Sequence, residues 1–184
     1  STSVFISGTG SNLKNLIKFS LQKKSPIKIK FVISNNSKAK GLAFCKKYRI
    51  KNKIYDFKKH SKTENMIIKD LKKNKIKLIC LAGFMKILSK KFIQKFDGKI
   101  LNIHPSLLPK YKGLNTHERA IKNKDKFSGC TVHYVNSKLD SGKIILQRKV
   151  RIKKSDTFKS LAKNILKQEH FLYPKAILKI FSNL

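Results

Sequence analysis

Short apolar runs at Val4–Ile6, Ile29–Ile33, Leu78–Ala82 and Ile100–Ile103 punctuate the first part of the chain, with a weaker one near Ile54. Continuous apolar runs of this length predict strands buried on both faces. Between them the spacing changes to a helical one. Leu13, Leu16, Ile17 and Leu21 predict a helix that starts at about Ser11, Ala39–Tyr48 predicts a second, Met66, Ile67, Asp70 and Leu71 mark a third, and Ile87–Phe96 suggests a short fourth. Strands alternating with helices predict right-handed βαβ units and a mostly parallel sheet. After Gly113 the rhythm changes. A helix near His117–Ile121 precedes alternating segments at Cys130–Val135 and Ile144–Ile152, joined by the turn-rich stretch 136–142, and a last helix runs from Thr157 to Phe181, broken or bent near Pro174. The expected fold is α/β: one domain over 1–184, a Rossmann-like, mostly parallel twisted sheet flanked by helices, with an antiparallel C-terminal portion.

Composition adds a formal charge of +35, from 44 Lys+Arg against 9 Asp+Glu, with only four arginines. The lysines run through nearly every predicted helix and loop. A specific nucleic-acid footprint clusters on one face and leans on arginine forks, so dispersed lysine predicts nonspecific attraction to anionic polymers instead. Cys45, Cys80 and Cys130 are far apart and lack a C-x-x-C spacing, as expected of small buried hydrophobes in a reducing, cytoplasmic compartment. No apolar stretch approaches the ~20 residues of a membrane span, and no signal-peptide pattern opens the chain. An initiator Met, and a few residues with it, are expected to precede Ser1.

Candidate chemistry concentrates in Leu101-Asn102-Ile103-His104-Pro105-Ser106-Leu107-Leu108-Pro109. Strand side chains repeat every two residues, so Asn102 and His104 project from one face. A neutral amide donor beside a charged imidazole suits an oxygen that becomes negative in acyl transfer; polar residues capping a turn are the alternative. After the first strand, Gly8 and Gly10 in Ser7-Gly8-Thr9-Gly10-Ser11-Asn12 aim N–H groups outward at a helix start, which suits a phosphate. A plain helix cap by Ser11 or Asn12 is equally compatible. Leu13 stands where G-x-G-x-x-G needs its third glycine, which argues against a dinucleotide. Asp140 lies in a loop where it could hold an imidazole protonated and organise a water, or simply bond its own turn. Glu169 could bond a ligand from the last helix, while His117 and His133 read as structural. No spacing suggests a metal site or a serine-hydrolase elbow.

Taken in order, Ser7–Asn12, Leu81-Ala82-Gly83-Phe84-Met85, Asn102–Pro109, Lys110-Tyr111-Lys112-Gly113-Leu114 and Leu139-Asp140-Ser141-Gly142 closely resemble the phosphoribosylglycinamide formyltransferases over essentially the whole chain. These are a branch of the folate-dependent formyltransferase superfamily. The first motif and the ending Gln168-Glu169-His170 point to that branch. The resemblance implies formyl transfer from 10-formyltetrahydrofolate, as co-substrate and without a metal, to the amine of glycinamide ribonucleotide in purine biosynthesis. It implies a catalytic trio of Asn102, protonated His104 and Asp140. It places the substrate phosphate on Gly10, Ser11 and Asn12, the glycinamide side against Glu169, and the pterin along Met85, Lys86, Ile87 and Leu88 and against Asn102 and the loop around Asp140. It also implies a phosphate-binding half, 1–100, a catalytic and folate-binding half, 101–184, a cis peptide before Pro109, and a monomer or homodimer.

Three features depart from many relatives: Lys86 replaces an arginine, Asn115 replaces a histidine, and no arginine stands near His60–Asn65, where lysines 58, 59 and 62 could supply charge without a bidentate fork. Methionyl-tRNA formyltransferase shares the trio but adds a tRNA-binding domain for which this chain is expected to lack the length. Formyltetrahydrofolate hydrolase shares it with water as acceptor. A nucleic-acid-binding module would explain the charge but not the ordered motifs.

Overall fold

Five strands alternating with helices and a C-terminal hairpin follow the expected rhythm in the computed structural model, which describes residues 1–182. The elements are β1 Thr2–Ile6, α1 Ser11–Ser20, β2 Ile29–Ser34, α2 Leu42–Lys47, β3 Lys51–Ile54, α3 His60–Lys73, β4 Leu78–Leu81, α4 Lys90–Lys95, β5 Lys99–His104, α5 Thr116–Lys122, β6 Phe127–Tyr134, β7 Ile144–Arg151 and α6 Phe158–Ser182. The strands form a seven-stranded sheet ordered β3-β2-β1-β4-β5-β6-β7. The chain divides into two units, 1–101 and 102–184.

In the first unit β1 pairs in parallel with β2 and with β4, and β2 with β3. All five residues of β1 are buried, as a central parallel strand covered on both faces requires. Leu13, Leu16 and Ile17 of α1 and Ile67 and Leu71 of α3 supply apolar cover. The Phe5 ring meets Phe84 edge to face, centroids 5.3 Å apart. β3 is exposed at all four residues, the lysine-bearing edge of the sheet, which explains its weak apolar signal. Two helices are shorter than their apolar spacing predicts. α2 begins only after Gly41, and α4 only after Ser89, whose hydroxyl caps it by accepting from Phe92 N. Met85–Leu88 therefore stay outside the helix.

In the second unit β6 and β7 are antiparallel, with a register shift between Val132 and His133. α6 packs its buried Leu161, Ile165, Leu172, Tyr173, Ala176 and Ile177 against this hairpin. It does not break at Pro174. The proline removes one backbone bond, but the buried stripe continues on both sides of it, and that packing keeps the helix whole. Among the described residues no helix is long and apolar enough to cross a membrane.

Candidate active site

In the first unit the chain leaves β1 through Ser7–Gly10 and enters α1 with Gly10 as N-cap at φ 73°. Gly10, the N-cap residue, has no side chain with which to cap this helix, and an anion suits its first turn. Gly10 is held against Gly41: a Cβ on Gly10 would lie 2.5 Å from Gly41 Cα, and one on Gly41 would lie 2.9 Å from Gly10 Cα. The Gly41 N–H donates to Gly8 O at 3.0 Å. Nothing in the local sequence marks Gly41, 31 positions from Gly10 in a different element, as part of this loop.

Ser7 links that loop to the segment after β4. Its hydroxyl donates to Asn35 Oδ1 at 2.5 Å and accepts from Met85 N at 2.7 Å, while Asn36 Nδ2 donates to Ser7 O at 3.1 Å. Met85 and Ile87 are 64% and 66% exposed, Lys86 is exposed, and Leu88 is buried. Large apolar side chains this open are candidates for covering a flat ligand. His60, where an arginine was absent, donates from Nε2 to Ile87 O at 3.0 Å. Buried Glu64 accepts from Ser89 N at 2.7 Å and from its hydroxyl. A cavity of about 290 Å³ opens here, lined by His60, Glu64, Asn65, Ser89, Lys91 and Lys95.

In the second unit the tip of β5 carries Asn102 and His104 toward Asp140. His104 Nδ1 is 3.4 Å from Asp140 Oδ2, with both side chains under a tenth exposed. His104 Nε2 donates to the Tyr111 carbonyl at 2.8 Å. Because a carbonyl only accepts, Nε2 carries the proton and Nδ1 faces Asp140. Asn102 Nδ2 lies 3.2 Å from His133 Nε2 and 3.4 Å from Asp140 Oδ1. His133 Nδ1 in turn donates to Tyr134 O at 2.8 Å, leaving Nε2 to accept from the amide. His133 is thus part of the constellation and not a bystander in a strand. The register shift beside it sets its aim.

The backbone around the trio is braced. Leu108–Pro109 is cis, as the family resemblance implied. Thr131 Oγ1 accepts from Leu108 N at 3.1 Å and from Gln147 Nε2 at 2.9 Å and donates to Ser106 O at 2.6 Å. Asp140 has φ 45°, and its Oδ2 accepts from Gly113 N at 2.9 Å. Gly142 is obligatory, since a Cβ there would lie 1.7 Å from Tyr134 O.

Burial pushes the His104 imidazole below its ordinary range, against the raising effects of the Tyr111 carbonyl and Asp140. This shift favours the neutral imidazole in the ligand-free protein. Its cause is desolvation, which the strand pattern does not reveal. Burial pushes the Asp140 carboxyl up, but its polar neighbours, the Gly113 N–H among them, outweigh it and bring the carboxyl below its ordinary range. Glu169 is buried on α6; burial and the Glu169 charge push the Cys130 thiol up to about 12, so this cysteine is inert.

The family model described as Formyl transferase matches residues 2–177. Phosphoribosylglycinamide formyltransferase of Haemophilus influenzae is 44% identical over 177 residues, 95% of this chain and 84% of that protein. The human trifunctional purine biosynthetic protein adenosine-3 is 41% identical over 182 residues, and the chain spans only 18% of its length. Among solved structures, phosphoribosylglycinamide formyltransferase from Anaplasma phagocytophilum is 46% identical with a TM-score of 0.89, covering 96% of this chain and 83% of that one. That from Bacillus halodurans is 33% identical with a TM-score of 0.93, covering 98% and 95%. With sequence and fold matched along nearly all of its length, the chain belongs to the formyl transferase family.

Proposed function

We propose that this chain is a phosphoribosylglycinamide formyltransferase, which moves a formyl group from 10-formyltetrahydrofolate to the amine of glycinamide ribonucleotide. The observation that carries the reading is the grouping of Asn102, His104 and Asp140, with the free nitrogen of His104 turned toward the carboxylate. In the first unit, Gly10, Ser11 and Asn12 hold the substrate phosphate. Met85, Lys86, Ile87 and Leu88 bind the pterin, for which the open Met85 and Ile87 side chains are suited. In the second unit, Asn102, His104 and Asp140 perform the transfer, and Glu169 serves the glycinamide side.

The mechanism follows from the protonation states. A substrate amine arrives largely as ammonium and must lose a proton to attack. Neutral His104 accepts it at Nδ1, because Nε2–H is committed to the Tyr111 carbonyl. The resulting imidazolium is stabilised by Asp140. Attack of the amine on the formyl carbon puts negative charge on the formyl oxygen, which receives hydrogen bonds from His104 Nδ1–H and Asn102 Nδ2–H. The amide contacts at 3.2 and 3.4 Å are long and give way to a shorter, charge-assisted bond. The attacking nitrogen then passes its surplus proton, through water ordered by Asp140, to the folate nitrogen. The bond from carbon to that nitrogen breaks and tetrahydrofolate leaves.

The test is to supply the purified protein with both substrates and follow tetrahydrofolate release and formylation of the ribonucleotide. Release that depends on the ribonucleotide supports the reading. Release of tetrahydrofolate together with free formate, without the ribonucleotide, favours the hydrolase and overturns it.

A further inference from the structure

We infer that Tyr111 and Asp125 are positioning residues, which fix the Tyr111 carbonyl on His104 Nε2 and thereby set the tautomer in which His104 works. The inference rests on the formyl-transfer reading for its kinetic consequence, but its structural core does not depend on it.

Tyr111 is a non-glycine residue at φ 56°, a strained conformation that persists only where its surroundings hold it. Those surroundings are unusually complete. The phenol donates to Asp125 Oδ2 at 2.7 Å and accepts from Asn123 Nδ2 at 2.8 Å. Lys110 Nζ donates to Asp125 Oδ1 at 2.7 Å, so both carboxylate oxygens are engaged. The Arg119 guanidinium covers the phenol ring, 4.9 Å from its centroid, and anchors itself by donating to Lys112 O at 2.7 Å. Asp125 closes α5, its N–H donating to Ala120 O at 3.0 Å. The ring end of Tyr111 is thus tied to a helix end, while its carbonyl meets the imidazole.

The consequence is chemical. A neutral imidazole has one N–H, and the group that binds it chooses which nitrogen is left to accept a proton. With the Tyr111 carbonyl in place, Nδ1 is left, 3.4 Å from Asp140. If the carbonyl swings away, the proton can move to Nδ1 and bond Asp140 instead. The only lone pair would then point away from Asp140 and from the incoming amine.

The test is nitrogen-15 NMR of the histidine rings on the full chain, with His104 assigned by comparison with His104→Asn. The wild type should show His104 protonated at Nε2. Tyr111→Phe keeps the ring and its stacking but removes the hydroxyl, and Asp125→Ala removes the anchor. Each should raise the Nδ1-protonated fraction of His104 and lower kcat by about 10-fold to 100-fold with KM nearly unchanged. The double variant should lose no more than either single, because both cut one strut. Asp125→Asn keeps an acceptor for the phenol and should restore the wild-type tautomer. An unchanged His104 spectrum in folded Tyr111→Phe and Asp125→Ala overturns the inference. The spectrum is read without substrates, so absence of turnover in the wild type would refute the formyl-transfer reading and leave the tautomer result standing.

Discussion

Asn102 Nδ2 stands 3.2 Å from His133 Nε2, and His133 is held by its other nitrogen on the Tyr134 carbonyl at 2.8 Å. A histidine 31 positions away therefore decides which end of the Asn102 amide turns toward Asp140. An acceptor facing the amide selects its N–H end, the end that an oxyanion needs.

Replacing Asn102 by Ala should lower kcat by at least ~10²-fold, the usual scale for one oxyanion donor, with the fold retained. His133→Ala should lower kcat less, about 10-fold, because the amide remains but is free to turn. Steady-state kinetics on variants with wild-type circular dichroism checks both. Normal turnover in folded Asn102→Ala would remove the amide from the mechanism.

Gly10→Val and Gly41→Ala should both weaken binding of glycinamide ribonucleotide and spare the folate. Each adds a Cβ within 3 Å of the other glycine's Cα and so displaces the loop ahead of α1. Calorimetry with each ligand separately is the measurement. Equal losses for the two ligands would mean general damage and no phosphate site in this loop.

Ser89→Ala should destabilise the protein by about 1–3 kcal/mol. The serine caps α4, and its hydroxyl and N–H both serve the buried Glu64 carboxylate. Urea unfolding of variant and wild type gives the difference. A change below about 0.5 kcal/mol would show that water satisfies the carboxylate instead.

Acid should destabilise the fold from pH 6.5 downward. Burial lowers both His104 and His117 from the ordinary 6.5. Below that pH the unfolded chain binds protons that the folded one refuses, so stability falls until the folded groups also titrate. Asp140, also lowered, adds a further loss only when pH drops below 3.8 toward its folded value. Melting temperatures at about pH 7.5 and 5.5 should fall with pH, and less steeply in His117→Gln. An equal slope in that variant would show that His117 does not carry the effect.

Any affinity for RNA should be nonspecific and collapse with salt, because the charge of +35 is dispersed lysine. At ~150 mM salt the protein should formylate the ribonucleotide and leave methionyl-tRNA untouched. Efficient formylation of the charged tRNA would reverse the assignment of acceptor.

The order of strands and helices was legible in the sequence because burial on both faces demands unbroken apolar runs and amphipathic helices demand a 3.6-residue period. The pairing of Asn102 with His104 followed from the two-residue period of a strand, and the approach of Asp140 from resemblance alone. Local pattern misjudged two helix starts, since Ala39–Gly41 and Ile87–Ser89 lie outside the helices their apolar spacing suggested, and α6 runs unbroken through Pro174 because a buried stripe outweighs one lost hydrogen bond. What only the tertiary structure decided concerns groups remote in sequence. Gly41 closes on Gly10, His133 turns Asn102, the Tyr111 carbonyl claims one nitrogen of His104, and burial pushes that ring's pKa down. Periodicity reports which face of an element is apolar, whereas a tautomer or a pKa depends on the atoms that the folded chain sets a few ångströms away.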